Sequence, residues 1–448
     1  MLNSIFGLIL ALGILVTIHE YGHFWVARRC GVRVLRFSVG FGKPIWSWMD
    51  RHGTEFAVAW IPLGGYVKML DEREGEVPDD QRHEAFNSKT PAQKIAIALA
   101  GPLANVLFAF FAYGVMYTVG VQDLKPIVDA PRTGSLTEGY DIVAGDRVLS
   151  VDGETVDSFT ELGLALASRV GDTGAVELTL ARNGQRVEHS IPIDRWLASS
   201  ASPNPVQDFG LLPRLPNFPA VISRVESGGA AERAGLQAGD RVVAVDGTSM
   251  TGWEQWVSVV RERPDDTLDV TIDREGINQT IRLTPAARTL EDGQVIGYVG
   301  AAAQAPQWPD EQRMTTRYWP LQALTRGVAD TLDMVALSYQ MLGKMVTGQV
   351  SLRQVGGPIS MAQMAGTSIG SGFEAFVSFL ALISISLAIV NLLPVPVLDG
   401  GHVVMHGLEW LKGGPLSDRV QMIGAQLGLA FIATLMFLAF VNDIGRLL

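Results

Sequence analysis

The chain has 448 residues, 48% hydrophobic and 18% charged, with 35 basic against 46 acidic side chains and a formal net charge of −11. So small a charged fraction beside so much apolar content excludes a disordered chain, and the acidic balance excludes a nucleic-acid binder held by phosphate contacts. A single cysteine, Cys30, excludes an internal disulfide framework.

The first uncharged stretch, Leu2 to Ile18, runs into His19-Glu20-Tyr21-Gly22-His23 and on into Phe24, Trp25 and Val26. No basic segment precedes it and no small-residue cleavage site follows, so 1–25 reads as a retained span and not a removed signal peptide. The pentapeptide matches H-E-x-x-H. At 3.6 residues per turn, His19 and His23 share a helix face and can grip one zinc ion. Glu20 stands beside them, able to take a proton from water. Ionisable residues at the end of a span are costly and functional by default.

Residues 26–93 follow, and between 24 and 94 there are eleven Lys and Arg, which marks this connection as cytoplasmic. Within it, 54–67 reads TEFAVAWIPLGGYV. Phe56, Val58 and Trp60 alternate with Ala57 and Ala59, and Gly64-Gly65 permits a turn. Such a strand could pair with an extended substrate; a soluble hairpin is the alternative. Ile95 to Val121 gives 27 uncharged residues and a second span at 94–121.

The long segment after it contains a duplication. AGDRVLSVDG at 144–153 and AGDRVVAVDG at 238–247 are identical at eight of ten positions, 94 residues apart. Each copy alternates apolar and polar residues as a half-buried strand does and ends in Asp-Gly, a tight-turn signal. Two α+β domains at 122–210 and 215–303 are expected, joined through Pro-rich pieces at 201–205 and 211–219. Residues 316–348 read as an amphipathic helix on the membrane surface, with a plain packing helix as the alternative.

Ala375 to Leu398 is uncharged for 24 residues and gives a third span at 373–398. Pro394 and Pro396 must break its helix, and Asp399 emerges from the break on the side of His19 and His23. Zinc hydrolases want three protein ligands and an open position. Asp399 is the preferred third ligand, since a carboxylate offsets the metal charge; His402 and His406 compete. A cytoplasmic connection at 399–419 and a fourth span at 420–443 complete the chain, with both termini on the outer side.

HEYGH at 19–23, NLLPVPVLDGGH at 391–402 and the large duplicated insertion are together similar to the site-2 protease family of intramembrane zinc metalloproteases. GFGKP at 40–44 and IPLGGYVKMLDE at 61–72 fit the same resemblance, which covers essentially the whole chain, and GLQAGD at 235–240 resembles a PDZ domain. The resemblance implies a multi-pass α-helical membrane protein with four transmembrane helices, a cytoplasmic or membrane-reentrant β-segment and two periplasmic PDZ domains. It implies Zn2+ on His19, His23 and Asp399, Glu20 as catalytic base, and Asn391 helping to hold substrate; the residues of the 54–67 strand (Phe56, Val58, Trp60, Gly64, Gly65) are the expected pairing partners by their own pattern. It further implies a bacterial inner membrane, second-site cleavage of an anti-sigma factor in an envelope stress response, removal of remnant signal peptides, and PDZ domains that filter substrates by size. The expected partners are membrane-protein substrates and the lipid bilayer. A tethered peptidase acting on soluble peptides and an inert adaptor are the competing classes.

Overall fold

The computed structural model describes residues 2–73, 75–215, 218–290, 294–303 and 308–447. Met1 of the first span, Glu74 of the connection at 26–93, Pro216 and Asn217 of the linker, and 291–293 of the second repeat lie outside the described residues.

Helix α1 (Leu2–Arg29) carries the first apolar stretch and the HEYGH motif without interruption. The chain then forms β1 (Val34–Met49) and β2 (Glu55–Met69). Each of these strands is bent into two arms. Gly40 and Gly42, both at φ near +90° (92° and 91°), turn β1 back on itself where another residue would be strained. Phe37 pairs with both Val67 and Phe56, while Phe56 pairs also with Trp48. The four segments therefore lie in the order Gly65–Met69, Val34–Val39, Glu55–Ala59, Pro44–Met49. The far end of this sheet shows Phe41, Ile45, Trp46, Trp48 and Trp60 at its surface.

Helix α2 (Pro91–Val119) starts at a capping box: Gln93 N donates to the Thr90 hydroxyl and Thr90 N to the Gln93 side chain. It stops at Gly120, φ 114°. Its inward stripe is small: Ala98, Gly101, Asn105, Ala109 and Ala112. That lets other helices approach closely. A Cβ on Gly22 of α1 would sit 2.3 Å from the Ala100 carbonyl oxygen, so only glycine permits this crossing.

The first repeat holds β3 (Val121–Leu124), β4 (Arg147–Val151), β5 (Glu154–Thr155), α3 (Phe159–Ser168), β6 (Gly174–Arg182), β7 (Gln185–Ile193) and the short α4 (Pro205–Phe209). Its main sheet runs β5-β4-β6-β7 around Val148, Leu162, Leu166, Leu178 and Leu180. The second repeat holds β8 (Ala220–Val225), α5 (Ala230–Arg233), β9 (Arg241–Val245), β10 (Thr248–Ser249), α6 (Trp253–Glu262), β11 (Leu268–Arg274), β12 (Ile277–Leu283), β13 (Ala286–Thr289), β14 (Val295–Tyr298) and β15 (Ala301–Ala303). Its sheet runs β12-β11-β9-β8-β15 over a core centred on Trp256. Both Asp-Gly turns take left-handed backbone, Asp152 at φ 51° and Asp246 at φ 47°, each followed by a glycine with positive φ (83° and 78°). That is the geometry a two-residue hairpin requires.

Strand β16 (Arg313–Thr316) pairs with β3 and leads back to the helices. Then come α7 (Pro320–Val346), α8 (Pro358–Ser371), α9 (Phe373–Asn391), α10 (Asp399–Lys412) and α11 (Asp418–Leu447). Among the described residues four helices are long and apolar enough to cross a membrane: Asn3–Arg29, Pro91–Val119, Phe373–Asn391 and Arg419–Leu447. The second and third have 44% and 39% of their most apolar window buried, the first and fourth 17% and 11%. So α2 and α9 form the centre, and α1 and α11 the flanks.

Two connections take on definite form. The region 316–348, expected as a membrane-surface helix with a packing helix as the alternative, packs Met334, Val335 and Leu342 of α7 against Tyr113, Met116 and Ile385 while Leu321, Leu332 and Val346 stay exposed. Its polar residues face the first repeat: Lys344 Nζ lies 2.6 Å from Asp172 and donates to the Ser168 and Val170 carbonyls, and Arg326 meets Glu161 at 2.8 Å. The connection at 399–419 is mostly helix α10, with buried Gly400, Gly401 and His406 on its inner face. Helix α8 was not foreseen, because its run is too short and too mixed to read as a span.

Candidate metal centre

Helix α9 ends at Asn391, three residues ahead of Pro394, since the residue before a proline is barred from continuing a helix and the proline itself offers no N–H. The chain turns sharply. Val397 is held at φ 90°, a costly conformation for a β-branched residue, and Asp399 then opens α10. Gly400 and Gly401 let this helix end press onto the turn: a Cβ on either would lie 2.3 or 2.2 Å from a carbonyl oxygen of Leu392 or Val395.

This turn delivers Asp399 to the HEYGH face of α1. Asp399 Oδ2 is 3.1 Å from His19 Nε2, and its Oδ1 is 3.5 Å from His23 Nε2. The two Nε2 atoms are 3.2 Å apart, and the donor atoms of all three residues fall within 4.8 Å of one another. Both histidines are buried, at 8% and 9% exposure. His23 Nδ1 faces the Ile97 carbonyl oxygen at 2.8 Å, and His19 Nδ1 faces the Asn105 amide at 3.2 Å. Each imidazole is thus tied by its outer nitrogen, leaving Nε2 free toward the common point. Burial pushes the Asp399 carboxyl up, but the two imidazoles beside it outweigh that and hold it below the usual carboxylate range. Two imidazoles and a carboxylate with second partners behind them fit a zinc site with one open position.

A cavity of about 630 Å³ opens on these residues. Glu20, Gly64, Gly65, Tyr66, Val67, Asn391, His402 and His406 line it. His402 and His406 are therefore near the site but not in the donor cluster, which among the described residues contains only His19, His23 and Asp399. Burial lowers the basicity of both, and His406 Nδ1 donates a hydrogen bond to the Glu409 carboxylate at 2.9 Å.

Of the expected substrate-holding residues, the structure brings Asn391, Gly64 and Gly65 to the cavity. Phe56, Val58 and Trp60 are not among the residues lining it. The Phe56 ring packs on Phe24, Phe37 and Trp48, and its strand segment is paired on both sides, so it has no open edge. The segment at the cavity with a single partner is Gly65–Met69. A Cβ on Gly65 would sit 3.3 Å from Glu20 Cγ, which shows how closely this edge passes the motif. The bending of β1 and β2 exchanged the edges, and alternation within 54–67 carries no sign of it.

Comparison with known proteins gives the same direction. The model of peptidase family M50 matches residues 7–435. The chain belongs to peptidase family M50, the site-2 proteases. This M50 chain is a membrane metalloprotease. It is 42% identical over 440 residues to the regulator of sigma-E protease RseP of Salmonella typhimurium, covering 98% of both chains. It is 43% identical over 446 residues to protease RseP of Yersinia pestis, covering 99% of both, and 42% identical over 441 residues to the Escherichia coli regulator of sigma-E protease RseP, covering 98% of both. A solved PDZ domain of an SdrC-like protein from Listeria innocua aligns with 20% of this M50 chain and 97% of its own, at 18% identity and a TM-score of 0.17, too low to assign a fold.

Proposed function

We propose that this protein is an intramembrane zinc endopeptidase that cuts transmembrane segments of other membrane proteins. The observation that carries the reading is the gathering of His19, His23 and Asp399 within 4.8 Å at the end of a helix apolar enough to span a bilayer. Zinc, when bound there, supplies a Lewis acid that acidifies water and polarises a peptide carbonyl. Glu20 accepts the proton of the attacking water on its carboxylate and returns it to the leaving amine nitrogen.

A substrate helix keeps its carbonyls in i to i−4 hydrogen bonds, so it must unwind before attack. Gly65–Met69 offers a strand edge along the cavity, and pairing there replaces the hydrogen bonds lost in unwinding. Asn391, which also lines the cavity, holds the unwound segment. The eleven basic residues between 24 and 94 favour a cytoplasmic site and termini on the opposite side, and family membership favours a bacterial inner membrane with those termini in the periplasm. The relatives are named as regulators of sigma-E, which favours a task in sigma-factor control; second-site cleavage of an anti-sigma factor is the form proposed for it, with remnant signal peptides as further substrates. The repeats at 122–210 and 215–303 act as PDZ domains that hold back substrates with a bulky outer domain.

The test joins metal analysis to one variant. The purified full chain should carry zinc, and Glu20→Gln should retain it while cleavage of a transmembrane substrate falls by about 10²–10⁴-fold. Wild-type turnover by Glu20→Gln would overturn the reading.

A further inference from the structure

We infer that Asn105 is a positioning residue for His19, and that one stripe of α2 sets both imidazoles for the metal. The inference rests on the zinc reading above. Ile97, Gly101 and Asn105 are spaced by four and share one face of α2. The Ile97 carbonyl lies 2.8 Å from His23 Nδ1. A carbonyl only accepts, so the proton is on Nδ1 and the lone pair of Nε2 points at the donor cluster. One turn on, Gly101 leaves the space both rings occupy: a Cβ there would be 2.3 Å from His23 Nε2 and 2.8 Å from His19 Nε2. A further turn on, Asn105 Nδ2 lies 3.2 Å from His19 Nδ1.

Asn105 is fully buried, at 0% exposure. The amide atom not facing His19 has no hydrogen-bond partner among the described residues. The contact with His19 is thus what this side chain does inside an otherwise apolar run. For His19 Nε2 to be a ligand, Nδ1 must carry the proton, so the amide must turn its oxygen to the ring. The two amide atoms are assigned by chemistry of this kind, and ligand duty on His19 decides between them. Ser384 donates to the Asn105 main-chain carbonyl at 2.9 Å and is itself buried. That bond fastens this turn of α2 to α9, the helix that leads into the Asp399 turn. All three ligands are thereby referenced to one level of the bundle.

The experiment measures zinc affinity of the full chain in detergent by competition with a chromophoric chelator, with thermal melting of the zinc-free protein alongside. Asn105→Leu fills the volume without an acceptor and should lower zinc affinity by roughly 10–100-fold. Asn105→Ala should do the same, and serves if the leucine variant does not fold. Asn105→Asp keeps an oxygen at the same place and should stay within a few-fold of wild type. The zinc-free melting points should remain close, which a merely structural role would not give. Wild-type affinity in the leucine and alanine variants, or an equal loss in Asn105→Asp, would overturn the inference. Those results leave the metal reading intact, whereas a wild-type chain that takes up no zinc would remove both.

Discussion

Gly101 illustrates how little room the site leaves. Glycine to alanine inside a helix ordinarily stabilises by about 1 kcal/mol. Here the added methyl would stand 2.3 Å from His23 Nε2, and neither ring can retreat without leaving the cluster. Gly101→Ala is therefore expected to cost at least about 100-fold in zinc affinity, and, by overpacking a buried contact ahead of Pro102, to lower the melting point of the zinc-free protein as well. Chelator competition and melting curves check both halves. The duplicated AGD turns carry a different residue-scale lesson. Asp146 and Asp240, each 1% exposed, receive Arg182 and Arg274 at 2.8 and 2.7 Å and one backbone N–H apiece, from Val143 and Gln237. Burial pushes these carboxyls up, but the guanidinium and N–H donors win and hold them below the ordinary value. A carboxyl lowered in the folded state adds stability that is present above the unfolded value, about 3.9, and lost as pH falls through the folded one. The repeats should thus be insensitive to pH from 5 to 8 and weaken below about 4. Asp146→Asn and Asp240→Asn should each destabilise by about 1–3 kcal/mol at neutral pH and flatten that acid limb; denaturant titrations at several pH values measure it. The sequence motif is accordingly structural in both copies.

At the scale of an element, the bent sheet of β1 and β2 decides where substrate can pair. Because Glu55–Ala59 is enclosed between two neighbours, the open edge at the cavity belongs to Gly65–Met69. Proline removes a strand donor. Val67→Pro, which also removes the backbone N–H that Val67 turns toward the Glu20 carboxylate, should lower cleavage of a transmembrane substrate at least about tenfold, more than one lost hydrogen bond would in water, with zinc content unchanged. Trp60→Pro, at a surface position 70% exposed and outside the cavity, should change it less than about twofold. Equal effects of the two would place the pairing edge elsewhere. The alternation of Phe56, Val58 and Trp60 was legible in the sequence as a strand. Which edge of it stays open was not, because that depends on the fold-back at Gly40 and Gly42. Helix α7 teaches the same point. Its amphipathic pattern was readable, but an apolar stripe does not say whether lipid or α2 covers it.

In the whole molecule, the first repeat is clamped to the helices through Lys344 with Asp172 and Arg326 with Glu161. Arg326 also meets Asp330 at 2.9 Å, and Asp330 accepts from the Tyr117 hydroxyl of α2. A continuous polar chain therefore joins the first repeat to the helix that carries Gly101 and Asn105. If the repeats filter substrates by bulk, a chain lacking 122–305 should cleave a substrate with an intact outer domain nearly as fast as a shortened one. Gel assays of both substrates measure the ratio. Undiminished discrimination by the shortened protease would move the filter to another part of the molecule.

What the sequence by itself determined is local or nearly so. Four uncharged runs name the apolar helices, H-E-x-x-H puts two imidazoles on one helix face, two prolines end the third run ahead of Asp399, and Asp-Gly marks two hairpins. Each depends on spacing within a few turns or on composition, which the chain carries openly. Asn105 left a trace too, as the one amide in the run from 95 to 121, where a polar side chain calls for a partner. Only the tertiary structure decided that its partner is His19, that a main-chain carbonyl at Ile97 holds His23, and that Gly65–Met69 faces the cavity. Those contacts join positions 74 to 86 residues apart or turn on a bend in a sheet, and a carbonyl is common to every residue. Packing, not residue type, selects which of them meets the site.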